Sequence, residues 1–266
     1  MKVESLSSLS QMITDQWKPG VLTNAFFSAE AFRSEIDAGT LHAVELSGGL
    51  LLLRRRKSYD RLNFYLQPGA DLEGWEPERT TVLEIPARDR DRGLRAMGPV
   101  WKQAGFSLTR SRMRIGLRRK IDPSEGAPEI RIRNARPEDQ MKIMELMYKV
   151  YEPITSCIPT PAELAADIAG ENVVSAWTED GELAGFLHMS RSKRTTECRH
   201  LAVEPELRRK GIAGALFAFD WSKARTPQYQ IWVDEDNVPA LSLYEKLGYS
   251  PDGWKSTVWI CKKGTE

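Results

Sequence analysis

The sequence predicts an α/β protein of mixed sheets, divided into two domains. Strand-like runs alternate with amphipathic helical runs along both halves of the chain. Between the halves, Ile121 to Pro128 has two prolines, a glycine and polar residues flanked by strand-like runs, which is typical of a linker. We therefore expect a smaller domain over residues 1–122 and a larger one over residues 129–266.

The periodicity of apolar residues predicts each element of the first domain. Leu6, Leu9, Met12 and Ile13 lie on one helical face, and Ser28 is expected to cap a second helix. A hairpin around Gly48 and Gly49, a short helix and further strands follow, the strands at 41–46, 50–53, 62–66, 80–85 and 108–119. Pro86 is expected to end the fourth of these strands.

The last strand of this domain carries three arginines on one face, Arg110, Arg112 and Arg114. We interpret this face as solvated sheet surface, because scattered charges on exposed strands are common. The alternative is a patch that binds an acidic substrate or partner.

The second domain shows a regular order of elements, βααβββαβαβ. Proline residues open three of its helices, and a turn at 179–181 joins two hairpin strands. The predicted strands are 130–133, 173–178, 183–189, 196–203, 229–233 and 257–261, and the predicted helices start at 137, 161, 211 and 239.

Composition narrows the function classes. The 38 basic and 37 acidic residues nearly balance, so the protein has no strong electrostatic field that would favour binding to nucleic acid. The N-terminus lacks the apolar core of a signal peptide, and no apolar run is long enough for a membrane span, so we expect a cytoplasmic protein without a membrane partner. Cys157, Cys198 and Cys261 are widely spaced and form no ligand pattern with the histidines, which predicts no disulfide framework and no metal.

One stretch carries a clear chemical signal, from Val203 to Leu216. A strand ends there, a loop with Arg208, Arg209 and Lys210 follows, and a helix begins after Gly211. A helix N-terminus presents unpaired amide groups and a partial positive charge, so this loop is suited to an anion such as a pyrophosphate.

Two blocks in this half resemble the GNAT superfamily of acyl-coenzyme A N-acyltransferases. Arg208, Gly211 and Ala213 match the family's Arg/Gln-x-x-Gly-x-Gly/Ala signature, and a second block from Asn237 to Tyr249 resembles its cofactor-proximal helix. The resemblance covers residues 129–266 and implies a GNAT fold that binds acetyl-coenzyme A. The cofactor contacts it implies are Leu201, Ala202, Val203, Arg208, Arg209, Lys210, Gly211, Ile212, Ala213, Gly214, Asn237, Ala240 and Tyr244.

Two segments of the first domain are similar in sequence pattern to segments of the second. Val100 to Phe106 is similar to Leu243 to Tyr249, with Trp101 in the place of Tyr244, and Leu62 to Pro68 lies where Arg199 to Pro205 lies. The signature loop is missing between Pro68 and Thr80. We interpret this domain as a degenerate GNAT-like repeat that does not hold coenzyme A, in a tandem layout similar to mycothiol synthase.

The resemblance also implies catalytic roles. Tyr244 matches the family's general acid, and a phenol with a pKa near ~10 is protonated at neutral pH and can donate to a thiolate. Glu197 lies where histone acetyltransferases of the superfamily carry their catalytic glutamate, and His200 or water are alternatives for the base. Strand alternation would put Glu197, Arg199 and Leu201 on one face. The resemblance also implies an exposed amide in the segment Leu201 to Val203, which would polarise the thioester carbonyl.

We therefore expect an N-acetyltransferase that moves an acetyl group from acetyl-coenzyme A to a small-molecule or peptide amine. The alternatives are a non-catalytic coenzyme A-binding or regulatory protein and a tandem GNAT-like aminoacyl transferase. Neither the acceptor nor the oligomeric state can be read from the residues.

Overall fold

A computed structural model describes residues 1–26, 28–70, 72, 74–88, 91–118, 130–223 and 226–263. The chain forms two compact units, one of Met1–Arg112 with Gly253–Glu266 and the other of Met113–Asp252. The chain thus returns to the first unit after the second is complete. The predicted linker at 121–128 lies outside the described residues, so the division at 122 and 129 stays a prediction.

The elements follow the predicted order. The first part of the chain forms α1 (Leu6–Gln16), β1 (Leu22–Thr23), α2 (Arg33–Asp37), β2 (Leu41–Leu46), β3 (Gly49–Arg55), β4 (Asp60–Leu66), β5 (Thr81–Arg88), α3 (Arg92–Arg95), α4 (Gly98–Gln103) and β6 (Ser107–Leu117). The second part forms β7 (Ile130–Asn134), α5 (Gln140–Val150), α6 (Pro161–Ala169), β8 (Val173–Thr178), β9 (Leu183–Arg191), β10 (Thr195–Val203), α7 (Ile212–Lys223), β11 (Gln228–Asp234), α8 (Val238–Lys246) and β12 (Tyr249–Cys261).

Two local predictions in the first unit are wrong. Ser28 precedes the 3₁₀ turn Ala29–Phe32 without a capping hydrogen bond from its side chain, whereas Ser5 does cap α1 by accepting from the Ser8 amide at 3.1 Å. Pro86 does not end β5, because β12 pairs along the whole strand and sets Ser256 opposite Pro86. Pairing with a distant strand outweighs the local tendency of proline to break a strand.

The first unit has the strand order β2-β3-β4-β5-β12. β2, β3 and β4 are antiparallel neighbours, and β4 and β5 are parallel, with Asp60 to Leu62 facing Thr81 to Leu83. Further along, β1 pairs with β4 through Leu22 and Thr23. The segment that follows β1 therefore enters the space where β4 and β5 part.

Asn24 fills that space. Its side chain is buried, and its amide nitrogen donates to the carbonyls of Leu62 at 3.0 Å and Glu84 at 2.9 Å. Its amide oxygen accepts from the Phe64 N–H at 2.9 Å. One side chain thus satisfies main-chain groups of both parted strands, as buried polar groups require.

The second unit has the order β6-β11-β10-β9-β8-β7, in which β10 and β11 are parallel. One face packs on α7 and α8 around Leu216, Phe217 and Tyr244, and the other packs on α5 and α6 around Ile143, Leu164 and Phe186. β12 starts at Tyr249, well before the predicted strand at 257.

The arginine face of β6 is not the solvated surface we predicted. Arg112 forms an ion pair with Glu84 at 3.1 Å, and Arg114 forms one with Asp252 at 2.7 Å. Both arginine side chains are mostly buried, at 13% and 19% exposure. Carboxylates of β5 and β12 neutralise the charges of Arg112 and Arg114, so these two arginines have a structural role.

Among the described residues, no helix combines the length and the apolar character that crossing a membrane requires. The same residues bring together no group of three or more His, Cys, Asp or Glu side chains placed to hold a metal ion.

Candidate active site

The candidate site lies where β10 and β11 part. Their parallel pairing covers Thr195 to Cys198, whereas β9 stays paired with β10 as far as Val203. The Glu204 N–H donates to the Ala184 carbonyl, and alternation along an antiparallel pair then turns the main-chain groups of Leu201 and Val203 away from β9. These groups face the gap that opens beside β11.

A bulge in β10 decides which side chains share a face. Cys198 faces Met189 and His200 faces His188, so Arg199 is an extra residue in β10. The predicted face of Glu197, Arg199 and Leu201 is therefore wrong. Leu201 packs with Cys198 in the core beneath α7 and α8, because one inserted residue reverses the alternation.

The Leu201 main chain is bonded to Tyr151, which follows α5. The Leu201 N–H donates to the Tyr151 hydroxyl oxygen at 2.8 Å, and that hydroxyl donates to the Leu201 carbonyl at 2.7 Å. Within the segment where we expected an exposed amide, the Leu201 amide is therefore bonded inside the chain. Burial raises the pKa of Tyr151 well above its usual range, so its hydroxyl keeps the proton it donates.

The loop before α7 has the conformation of an anion-binding turn. Arg209 and Gly211 both have left-handed backbones, with φ of 64° and 81°. Alternating backbone conformations of this kind turn successive N–H groups toward one concavity. Arg208, Arg209 and Lys210 are exposed beside it, and the Arg208 Nε donates to the Val203 carbonyl at 3.2 Å.

The small residues of the signature let α7 pack closely on the sheet. Ile212 and Gly214 are buried and Ala213 is half-buried. A buried ion pair between Asp220 of α7 and Arg191 of β9 holds the other end of the helix. The first turn of α7 is therefore fixed at the carboxyl end of β10.

The second block places Asn237, Ala240 and Tyr244 on α8. Asn237 caps the helix, since its side-chain oxygen accepts from the Ala240 N–H at 3.2 Å. Tyr244 is buried, and its ring contacts those of Phe217 and Tyr249 at centroid distances of 6.1 and 5.9 Å. Burial, assisted by Cys198 and Tyr151, raises the pKa of Tyr244 well above its usual value.

Glu197 lies in the paired part of β10. It faces Gln230 of β11, whose amide donates to its carboxylate at 2.5 Å. The carboxylate is half-buried, and this cross-strand bond orients it before the two strands part.

His200 belongs to a buried polar chain behind Leu201. Its Nε2 lies 2.8 Å from the Ser156 carbonyl, and its Nδ1 lies 3.1 Å from Nδ1 of His188. His188 in turn reaches Asp167 of α6 at 2.8 Å. Because a carbonyl only accepts, Nε2 of His200 carries a proton, and its other nitrogen is engaged by His188. This arrangement disfavours His200 as the base.

Sequence reasoning missed Tyr151, His188 and Asp167. Tyr151 and Leu201 are 50 residues apart, and no spacing links them. The one available signal was the position of Tyr151 at the end of a predicted helix, just before Pro153.

The arrangement is an α/β fold in which two parallel strands part beside a glycine-containing loop at a helix N-terminus. Residues 141–249 match the model described as the Acetyltransferase (GNAT) family. This part of the chain therefore matches a GNAT family model, and the N-terminal half is similar in fold to a second GNAT-like repeat.

Solved structures share this fold along most of the chain. A GCN5-related N-acetyltransferase from Sphaerobacter thermophilus is 16% identical with a TM-score of 0.60, covering 100% of this chain and 96% of that one. An acetyltransferase of the GNAT family from Colwellia psychrerythraea is 13% identical with a TM-score of 0.59, covering 99% of each chain. A tandem GNAT protein from the clavulanic acid biosynthesis pathway is 14% identical with a TM-score of 0.54, covering 82% and 80%. At these identities the likeness concerns the fold.

Proposed function

We propose that the second unit is an N-acetyltransferase that transfers the acetyl group of acetyl-coenzyme A to a primary amine of a small molecule or peptide. The observation that carries this proposal is the gap between β10 and β11, which opens beside the left-handed loop of Arg209 and Gly211. The gap offers main-chain groups to an extended amide chain, and the loop offers N–H groups and cations to phosphates.

The residues present fit such a molecule. Arg208 to Gly214 would hold the pyrophosphate through main-chain N–H groups and three exposed cations. Leu201, Ala202 and Val203 would meet the pantetheine arm along the parted strand, and Asn237 and Ala240 would meet it from α8. When bound, the thioester supplies an acetyl group whose carbonyl carbon is open to attack.

The side chains then have separate tasks. The amine nitrogen forms a bond to the carbonyl carbon, the carbon–sulfur bond breaks, and one proton moves from the amine to the departing thiolate. An amide N–H aimed at the carbonyl oxygen stabilises the charge that develops there, and the Leu201 N–H is the donor that we propose for this. Tyr244, kept protonated by its burial, is the donor that we propose for the thiolate.

Glu197 is the carboxylate that we propose for removing the amine proton, directly or through water. An alkyl amine has a pKa near ~10.4 and is mostly protonated at neutral pH, so a base is needed before attack. The bond from Gln230 holds the carboxylate in one orientation. Glu197→Gln keeps the side-chain shape, and we expect it to lower kcat/KM most strongly below the amine pKa.

A binding experiment tests the site directly. Acetyl-coenzyme A should bind in isothermal titration calorimetry, and Gly211→Glu should abolish binding because it adds a negative side chain where phosphates would lie. Gly181→Glu is the matched control, because Gly181 also has a left-handed backbone, with φ of 79°, and lies in an exposed hairpin turn. Equal binding by the Gly211 variant and the wild-type protein would contradict the site.

One observation favours a non-catalytic coenzyme A-binding protein as the second candidate. The N–H that would polarise the thioester is bonded to Tyr151. Thiol release measured with a panel of amines separates the two functions, since a binding protein would release none above the rate without protein. The remaining alternative is an aminoacyl transferase that takes its acyl group from a charged tRNA. Such an enzyme would work without coenzyme A.

A further inference from the structure

We propose that Tyr151 closes the cofactor site of the second unit and that its hydroxyl leaves Leu201 when the thioester binds. This inference rests on the proposed function and adds a residue to it. Tyr151 accepts a hydrogen bond from the Leu201 N–H at 2.8 Å and donates one to the Leu201 carbonyl at 2.7 Å. Both groups lie on the edge of β10 that faces the gap.

The hydroxyl oxygen takes the place that a thioester oxygen needs. An N–H donor that is already bonded to one oxygen must exchange it for another, so the hydroxyl and the ligand compete for the same donor. The apparent affinity for the ligand is then reduced by the fraction of molecules in which Tyr151 is bonded.

Tyr151 packs at the edge of the core, where the chain leaves α5. It is the first residue beyond α5, its backbone is extended, and Pro153 follows two residues later. Its ring is half-buried and meets the edge of the His200 ring at a centroid distance of 5.2 Å. His200 is fixed by His188 and Ser156, so the bonded position of the Tyr151 ring is well defined, and the whole ring must turn away for its hydroxyl to leave Leu201.

In the first unit the corresponding main-chain N–H is also bonded to a side chain. In the alignment of the two halves, Phe64 lies where Leu201 lies, and the Phe64 N–H is bonded to Asn24 at 2.9 Å. Asn24 also bonds to Leu62 and Glu84, and it directly follows β1, which is paired with β4. Asn24 is held by bonds to three main-chain groups and follows a paired strand, whereas Tyr151 is held by the two bonds of its hydroxyl to Leu201 and by the contact of its ring with His200.

The test compares two tyrosines of the same segment. We expect Tyr151→Phe to bind acetyl-coenzyme A about tenfold more tightly in isothermal titration calorimetry, because about one net hydrogen bond to the closed state is lost. Tyr148→Phe is the matched control, since Tyr148 is 56% exposed on α5, and its affinity should equal that of the wild-type protein.

The outcomes separate the two proposals. Equal or weaker binding by Tyr151→Phe, with normal binding by the wild-type protein, overturns the role of Tyr151 and leaves the proposed function intact. Absence of binding by every variant, the wild-type protein included, overturns both.

A second measurement needs only the wild-type protein. We expect the Leu201 amide resonance, followed by NMR, to shift when acetyl-coenzyme A is added and its exchange with solvent to be slow before the addition. A Leu201 amide that exchanges freely in the cofactor-free protein would overturn the proposal even if the Tyr151 variant failed to fold.

Discussion

Asp220 and Arg191 form a buried ion pair that joins α7 to β9. The Asp220 side chain is 1% exposed, and α7 carries at its other end the loop that we propose to bind phosphate. The pair therefore helps to fix the direction in which the first turn of α7 points.

Breaking this pair should destabilise the second unit. Asp220→Asn leaves the Arg191 guanidinium without its charge partner, and we expect a loss of about 3 kcal/mol in the free energy of unfolding. Urea unfolding measures the loss. Asp180→Asn, in an exposed turn, is the control and should change stability little. A loss below about 0.5 kcal/mol for the Asp220 variant would show that the pair is not important for stability.

Replacing Tyr244 with phenylalanine should affect turnover more than binding. The change removes the hydroxyl and keeps the ring contacts with Phe217 and Tyr249. We expect kcat to fall about a hundredfold, with the affinity for acetyl-coenzyme A nearly unchanged. Steady-state kinetics with an active amine and calorimetry measure the two effects. An unchanged kcat would remove Tyr244 from the mechanism.

Stability should fall as the pH drops below about 6.5. Burial lowers the pKa of His188, against the opposing effect of Asp167, so the folded state binds fewer protons at this site than the unfolded state. The stabilisation is thus present above the ordinary histidine pKa and is lost as the pH decreases through it. Urea unfolding between pH 7.5 and 5.5 tests this dependence. His188→Asn should show a weaker dependence, and an identical slope would contradict the assignment.

Asn24 should contribute strongly to the stability of the first unit. Asn24→Ala leaves the Leu62 and Glu84 carbonyls and the Phe64 N–H without this partner, and we expect a loss of about 2–3 kcal/mol. Hydrogen exchange at the amides of β4 reports on this unit directly. Gln11→Ala, on the exposed side of α1, serves as the control. Unchanged exchange in the Asn24 variant would mean that the gap closes equally well without it.

The sequence predicted what local patterns determine. The hairpin of β2 and β3, the apolar face of α1 and the loop from Arg208 to Gly211 follow from side-chain spacing and backbone preference. The bulge at Arg199 could not be predicted, because it depends on how β9 and β10 align. The bond between Tyr151 and Leu201 joins residues 50 positions apart and follows from how α5 packs.

The return of the chain from the second unit to the first affects the order of folding. β5 obtains its partner from residues 254–261, which the ribosome adds only after all of the second unit. During translation the N-terminal unit therefore has an unpaired β5 edge, and unpaired edges promote aggregation. The second unit can finish folding before residues 254–261 are made. The first unit, although its synthesis starts earlier, is therefore completed last.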